Sequence, residues 1–445
     1  MSIGIIEIIT YTLILLAFLH FRKYNDEFLF LPILFFWTTG LQRFNAVLEQ
    51  KADWVEVAYT FNIFTAMTNT KAMIAMGYFL LGTALFFFSY QFYNKKLPYP
   101  EYARDNQDLF AQFIATKKSF ILGFFIFFLM INTAFKGMMG GNLAMGQSYF
   151  YLFAMGIASF ILLGYLVYKV TPKENQGIRN LYIIMISYGM WLSYSPSKRF
   201  QFLSWMIALG IIIMQKYEPM QKAKYYLVGG FAVMIFFSLA GVARKHNLSQ
   251  LSFGEMYELV MERSDSREDQ NMLDGFMMVL DVYPHHLDYH YGMEHMEILM
   301  RPIPRALWPG KPVGGYANKL GLNDYENSGT VGISQTIYGT FYGEGGLWGI
   351  IILSIIYGWV FVKLFRLSYH YNSDLQWLIK GIIIASFVPI LRGGDLPGII
   401  AFIGMSYWPI FLIIWQYHKF LAQQSFSEEE DWDENEIESN EVLIN

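Results

Sequence analysis

The chain reads as an all-α polytopic membrane protein, with about eleven transmembrane helices and one large extracytoplasmic loop. Three observations carry that reading. Hydrophobic residues make up 54% of the 445 residues and charged residues only 15%, against about 25% in an ordinary soluble domain. The mean hydropathy is +0.31. Aromatic residues reach 18%, as expected where Trp and Tyr ring both faces of a bilayer.

A helix needs about 20 predominantly apolar residues to cross the hydrocarbon core. Runs of that kind fall at 3–21, 27–44, 72–92, 119–136, 148–169, 180–194, 200–216 and 225–243, and again at 346–366, 376–392 and 397–417. The first run, Ile3–Phe21, has no basic segment before it and no small-residue cleavage site after it, so it reads as a retained span. The segment 42–71 has room for a further half-span. The expected organisation is then 1–243 for the first eight spans, 244–345 for the loop, 346–420 for the last three spans and 421–445 for an acidic tail. That tail, from Glu428 onward, holds many acids and no base, and reads as a solvated, disordered cytoplasmic segment. Asp431-Trp432-Asp433 imitates a metal-binding Asp-x-Asp, but sits in an acidic run with no fold around it.

Orientation follows from Lys and Arg. One set of connections is rich in them: Arg22, Lys23, Lys95, Lys96, Arg104, Lys117, Lys118, Lys169, Lys173, Arg179, Lys216, Lys222, Lys224, Lys363, Arg366, Lys380 and Lys419. The opposite short connections hold fewer: Arg43, Lys51, Lys71, Lys136, Lys198, Arg199 and Arg392. The basic side is expected to be cytoplasmic, which puts the amino terminus and the long loop outside and the carboxyl terminus inside.

Within the loop, Ser252-Phe-Gly-Glu255 is a capping box opening a helix. Met272, Leu273, Phe276, Met277 and Leu280 repeat at helical spacing, so a second helix ends near Pro284, its Met-rich face packed on the membrane domain or lining a ligand groove. Prolines 302, 304, 309 and 312 fix φ and remove amide donors, which predicts a stiff, non-helical stretch.

The chemistry-bearing residues gather around that stretch. Arg301, Arg305 and Lys311 lie in it, Lys198-Arg199 in a Ser-Pro-Ser turn, Arg244 after the eighth span, and Arg392 before Gly393-Gly394-Asp395. Cations on the side where the charge rule disfavours them fit lipid headgroups, loop acids or one shared anion; a pyrophosphate matches guanidinium forks. His285, His286, His290 and His295 cluster with Asp288 and Glu294; His286 and His290 fit one helix face, as core or surface residues, a zinc pair or a general base. Glu344 and Asp395 flank spans, where a raised pKa would suit proton abstraction and where pairing with backbone or Arg is the competing role. Trp308, Tyr338 and Tyr342 suit sugar stacking or interfacial anchoring. With no cysteine, thiol catalysis, disulfides and Cys-based metal sites are excluded. No Walker or dinucleotide glycine loop is present, and no nucleic-acid partner is expected.

The order Tyr289-x-Tyr291-Gly292, Ile303-Pro304-Arg305-x-x-Trp308-Pro309-x-Lys311-Pro312, Ser334 and Gly343-x-x-Gly346 resembles the bacterial oligosaccharide repeat-unit polymerases, which build O-antigen and exopolysaccharide. The Ser-Lys198-Arg199 turn is similar to one these proteins carry, although Phe200 stands where a glycine is common. The resemblance implies a GT-C-like, metal-independent, inverting glycosyltransferase of the bacterial cytoplasmic membrane, acting at its outer face. It would need no cofactor. It would bind undecaprenyl-pyrophosphate-linked oligosaccharide among membrane lipids, with a chain-length regulator or copolymerase as a protein partner. It further implies roles for Arg305, Lys311 and Arg199. Position and chemistry add Arg244, Arg301 and Arg392 for the pyrophosphate, and Glu344, then His290, as base. An O-antigen ligase with the same donor, and a flippase for an anionic glycolipid, are the alternative functions.

Overall fold

The computed structural model describes residues 3–36, 42–49, 69–98, 105–138, 153–194, 199–246, 250–266, 272–301, 303, 307–308, 310–311, 315–320 and 334–442. These residues form helices and their connections, with no strand among them. Six helices are long and apolar enough to cross a membrane: Gly4–Tyr24, Asn69–Lys96, Gln107–Phe135, Thr336–Ser368, Asp374–Arg392 and Leu396–Gln424. The chain is thus an all-α protein with membrane-spanning helices. The other expected spans coincide with further helices, Pro219–Lys245 and Gln176–Ser193 among them, or with shorter pieces such as Ile157–Val170. The expected span 27–44 is described as Glu27–Phe36 and Gln42–Leu48, with residues 37–41 outside the description.

In chain order, the helices used below are α1 (Ile3–Tyr24), α2 (Glu27–Phe36), α3 (Gln42–Leu48), α4 (Asn69–Lys96), α5 (Gln107–Met138), α6 (Ile157–Val170), α7 (Gln176–Ser193), α8 (Arg199–Met214), α9 (Pro219–Lys245), α10 (Phe253–Ser266), α11 (Met272–Val282), α12 (Met293–Met300), α13 (Tyr316–Lys319), α14 (Thr336–Ser368), α15 (Asp374–Arg392) and α16 (Leu396–Val442). They fall into two compact units. The first holds Met1–Pro98, Tyr194–Arg366 and Gly381–Ile403; the second holds Tyr99–Ser193, Leu367–Lys380 and Gly404–Asn445.

In the first unit ion pairs and hydrogen bonds gather at two groups of helix ends. At one end, Lys222 at the start of α9 pairs with Glu27 at 2.9 Å, both side chains fully buried. Asp26 accepts from Tyr90 near the end of α4 and lies 3.1 Å from His20 of α1. Arg366, near the end of α14, donates to the carbonyls of Asn94, Leu97 and Pro98. At the opposite end, Arg43 grips Asp274 through two bonds, Nε to Oδ1 at 3.0 Å and Nη2 to Oδ2 at 2.5 Å. Lys71, at the start of α4, reaches Asp281 at 2.6 Å. Between the two ends Phe28 stacks with Tyr90, Phe361 and Phe387.

The capping box forms as the sequence predicts: Glu255 accepts from the Ser252 amide and hydroxyl at 2.8 and 2.7 Å, and the Glu255 amide donates to Ser252 Oγ at 3.3 Å. The Met-rich helix α11 buries Met272, Leu273, Phe276 and Met277, so its apolar stripe is packing surface. Its two acids, Asp274 and Asp281, tie it to α3 and α4. Arg43→Met leaves Asp274 buried without its partner, and is expected to cost about 3–5 kcal/mol; thermal unfolding in detergent checks it.

The second unit packs α5, α6 and α7 with the later part of α16. A Cβ at Gly164 would lie 2.8 Å from the Phe125 ring, and one at Gly189 would lie 3.2 Å from Ile161. Ser159 donates to the Ser406 carbonyl at 2.7 Å, and Asp374 accepts from Lys169 at 2.5 Å and Gln107 at 2.9 Å. The acidic run expected as a tail carries helical backbone, since α16 extends to Val442. The reason lies in composition, since Glu is a strong helix former and no glycine or proline interrupts the run after Pro409.

Candidate functional site

The site grows from a break in α14. Gly345 and Gly346 leave helical geometry, and Gly346 sits at φ 63°. A Cβ there would lie 2.9 Å from the Tyr289 hydroxyl. The freed carbonyls just before the break receive the loop: the His290 amide donates to Gly343 and the Tyr291 amide to Glu344, both at 2.9 Å. Gly346→Ala adds left-handed strain to a collision and is expected to cost about 1–3 kcal/mol, read as a lower unfolding temperature.

Tyr291 (φ 49°) and Gly292 (φ 92°) turn the chain into α12. The Glu344 carboxylate closes that turn. It accepts from the Gly292 amide at 2.5 Å, the His295 amide at 3.3 Å and His295 Nδ1 at 2.6 Å. A carboxylate on the free amides of a helix start is favourable through hydrogen bonds and the helix dipole. Glu344 therefore anchors α12 and has both oxygens engaged, which argues against the base role expected for it. His295 hands the chain on: Nδ1 carries the proton toward Glu344, and Nε2 accepts from Tyr357 at 2.9 Å.

A parallel arrangement surrounds His290. Its Nε2 lies 3.0 Å from the Tyr283 hydroxyl and 3.0 Å from Lys319 Nζ. An ammonium only donates, so Nε2 is the unprotonated nitrogen and Nδ1 bears the proton. Nδ1 faces Glu294 Oε2 at 3.7 Å and has no hydrogen-bond partner. Burial pushes the Glu294 carboxyl above its usual range, against the pull of His290 and Lys319. Nearby, Lys319 lies 3.5 Å from Glu297, whose Oε2 is buried with no partner among the described residues, as is the Tyr316 hydroxyl. Orphaned buried polar atoms are costly, and several in one place mark a site kept for something other than stability.

The raised Glu294 pKa carries a sign. The folded protein holds that proton longer than the unfolded chain does, so the stabilising contribution is full below the ordinary carboxylate pKa and is lost as pH rises through the raised value. Glu294→Gln removes that loss. The variant is expected to lose less unfolding temperature than wild type as pH rises above the ordinary carboxylate range.

The second part of the site is cationic. Arg301 Nη2 donates to Asp395 Oδ2 at 2.9 Å. Lys311 is buried, and its ammonium binds the carbonyls of Arg301 at 2.7 Å and Ile303 at 2.8 Å. Lys311 thus shapes the proline-rich loop and fixes the Arg301 backbone. This differs from the direct pyrophosphate contact expected of it, because its donors face loop carbonyls.

The remaining expected residues divide. Tyr342 stacks on Tyr78 at 5.9 Å and meets Tyr289 edge-on at 6.1 Å, close to the break. Trp308 is exposed beside Lys311 in sequence. Tyr338 is not available to a sugar: it is 2% exposed, edge-on to Phe79 and pressed on Gly82, where a Cβ would lie 2.3 Å from its ring. Arg392 is partly buried at the end of α15 and leads through Gly393 and Gly394 to Asp395. Arg199 and Arg244 lie on α8 and α9 with side chains outside the description, and Arg305 lies outside the described residues. His286 and His290 do not share a helix face, since Pro284 and the left-handed Tyr291-Gly292 pair leave 283–292 as turns. Among the described residues no three His or carboxylate groups stand where they could hold a metal ion.

Sequence reasoning passed over Lys319, Glu297, Tyr283 and Tyr316. Glu294 was legible as the acid four residues after His290; Lys319 gave no signal, because the fold alone brings it across. No protein-family model, curated protein or solved structure matches the chain. The site is read from its own chemistry.

Proposed function

We propose that this protein is a membrane glycosyltransferase that polymerises undecaprenyl-pyrophosphate-linked oligosaccharide repeat units at the outer face of the bacterial cytoplasmic membrane. One observation carries the reading: a single segment, 288–301, presents a carboxylate-backed imidazole and a guanidinium fork beside the ends of apolar helices. That pairing suits a reaction in which a hydroxyl loses a proton while a diphosphate leaves.

In that reaction the bond from the anomeric carbon to the pyrophosphate oxygen breaks, and a bond to the acceptor hydroxyl oxygen forms on the opposite face, with inversion. His290 Nε2 takes the acceptor proton once Lys319 and the Tyr283 hydroxyl release its lone pair, and Glu294 stabilises the resulting imidazolium through Nδ1. The leaving undecaprenyl pyrophosphate keeps the bond electrons, and Arg301, with Arg305 in the same loop, bears its charge. Glu344 and His295 hold α12 so that these groups keep their spacing. Tyr342 and Trp308 are offered for sugar faces. The basic helix ends around Lys222 and Arg366 are assigned to the cytoplasm, and the 288–301 segment to the exterior.

Purified protein given lipid-linked repeat unit, with no nucleotide sugar, is expected to produce a ladder of polymer. A strain lacking the protein should accumulate single capped repeats. Bare lipid core would instead indicate a ligase, and repeats trapped at the cytoplasmic face a flippase.

A further inference from the structure

Arg301 is already holding a carboxylate. Among the described residues its side chain makes one hydrogen bond, to Asp395 Oδ2 at 2.9 Å, so most of its donors are unspent. The pair is reachable: the Arg301 and Asp395 side chains keep 34% and 29% of their exposure. Asp395 Oδ1, by contrast, is buried and has no partner among the described residues. A carboxylate that leaves one oxygen unsatisfied and meets its cation through one contact is not in the bidentate geometry that makes such pairs strong.

The surroundings leave room for this pair and little else. A Cβ at Gly398 would lie 2.6 Å from Asp395 Oδ2 and 3.4 Å from Arg301 Nη2. Gly315, at φ 75°, has the Asp395 Cβ 3.6 Å from where its own would stand. Lys311 fixes the Arg301 carbonyl from behind at 2.7 Å, so the guanidinium is mounted on a stiff support. Asp395 itself precedes α16 and accepts the Ile399 amide through its backbone carbonyl at 2.9 Å. Its side chain therefore has no capping duty among the described residues.

We propose that Asp395 is a resident counter-ion that occupies the Arg301 fork in the unliganded protein and is displaced by the diphosphate group of the substrate. This rests on the reading of Arg301 as a pyrophosphate ligand. The device sets a charge threshold. A bilayer presents monoanionic phosphodiester headgroups at high local density, and an empty guanidinium fork at its edge would fill with them. A tethered carboxylate carries one negative charge at high effective concentration and competes with any monoanion on even terms. A diphosphate brings more charge and several acceptor oxygens, engages both edges of the fork and wins. Asp395 thus sets an affinity threshold that keeps weakly held monoanions off the fork.

The test uses full-length protein in discs of zwitterionic lipid, titrated with inorganic pyrophosphate and, separately, with short-chain phosphatidylglycerol as a monoanionic phosphodiester. Asp395→Asn keeps size and suits the residue before a helix, so the fold is expected to hold. It should tighten phosphatidylglycerol and pyrophosphate binding by the same factor, about tenfold, since removing a competing carboxylate frees the same fraction of forks for either ligand. Phosphatidylglycerol, the weaker ligand, then binds at concentrations that leave the wild type empty. Gly398→Ala, which pushes the Asp395 carboxylate off Arg301 by contact alone, should move binding in the same direction. In Arg301→Gln the Asp395→Asn change should have no further effect.

Unchanged or weaker binding of both probes in Asp395→Asn overturns the counter-ion role. Undiminished pyrophosphate binding in Arg301→Gln, or no measurable pyrophosphate binding by the wild type, overturns instead the assignment of the pyrophosphate to Arg301.

Discussion

His290→Gln is expected to lower glycosyl transfer by about 10²–10⁴-fold, the usual contribution of a positioned general base. The variant should still insert and unfold cooperatively, because His290 is tied to the protein through its backbone amide to Gly343 and a Gln side chain still meets Tyr283 and Lys319. A glutamine amide accepts a hydrogen bond but takes no proton at neutral pH, so binding survives and chemistry does not. Glu294→Gln should show the same defect in weaker form, since it removes the carboxyl oxygen that faces Nδ1 and could take up its proton, and leaves the imidazole in place. The two together should cost little more than His290→Gln alone, because they act as one unit. A double variant that fell by the product of the single effects would separate them into independent roles. Glu344→Gln is different in kind. It loosens the start of α12 and should reduce stability along with activity, whereas His290→Gln spares stability.

Arg301→Lys is expected to reduce the rate by about 10²–10³-fold, as for loss of one preorganised group at developing charge. The substitution keeps the positive charge, so simple attraction to an anion remains. What disappears is the planar fork that meets two oxygens at once, and an ammonium on a flexible stem does not replace it. The readout is the split between binding and turnover: substrate affinity should change little, and the maximal rate should fall. Arg305→Ala, in the motif that carries the resemblance to repeat-unit polymerases, is expected to abolish polymer while the protein still reaches the membrane.

The helical class was legible because apolar runs of bilayer length need nothing beyond one segment of sequence. Local signals also translated directly: Ser252 and Glu255 formed their capping box, and the Met272–Met277 stripe became buried packing. The candidate site was half legible. His290, Arg301 and Glu344 stood out by residue type and neighbourhood, and all three lie within one unit. Their roles did not stand out, because roles depend on partners that sequence does not order in space. Glu344 became a helix anchor only because the break at Gly345-Gly346 brings it over the amides of Gly292 and His295. Lys311 turned inward because the proline-rich loop leaves carbonyls that need a donor. Tyr338 was placed in the site by its nearness in sequence to Tyr342, yet one turn further along the same face it is fully packed against α4. Lys319 lies across a stretch of loop from His290, a distance over which residue spacing carries no information.

The most direct measurement is the rate at which undecaprenyl pyrophosphate is released from saturating lipid-linked repeat unit by purified wild-type, His290→Gln and Arg301→Lys protein. The account predicts steady release by the wild type, matched one for one by new glycosidic bonds, and near-silence from both variants despite normal folding. Release at wild-type speed from both variants would contradict it.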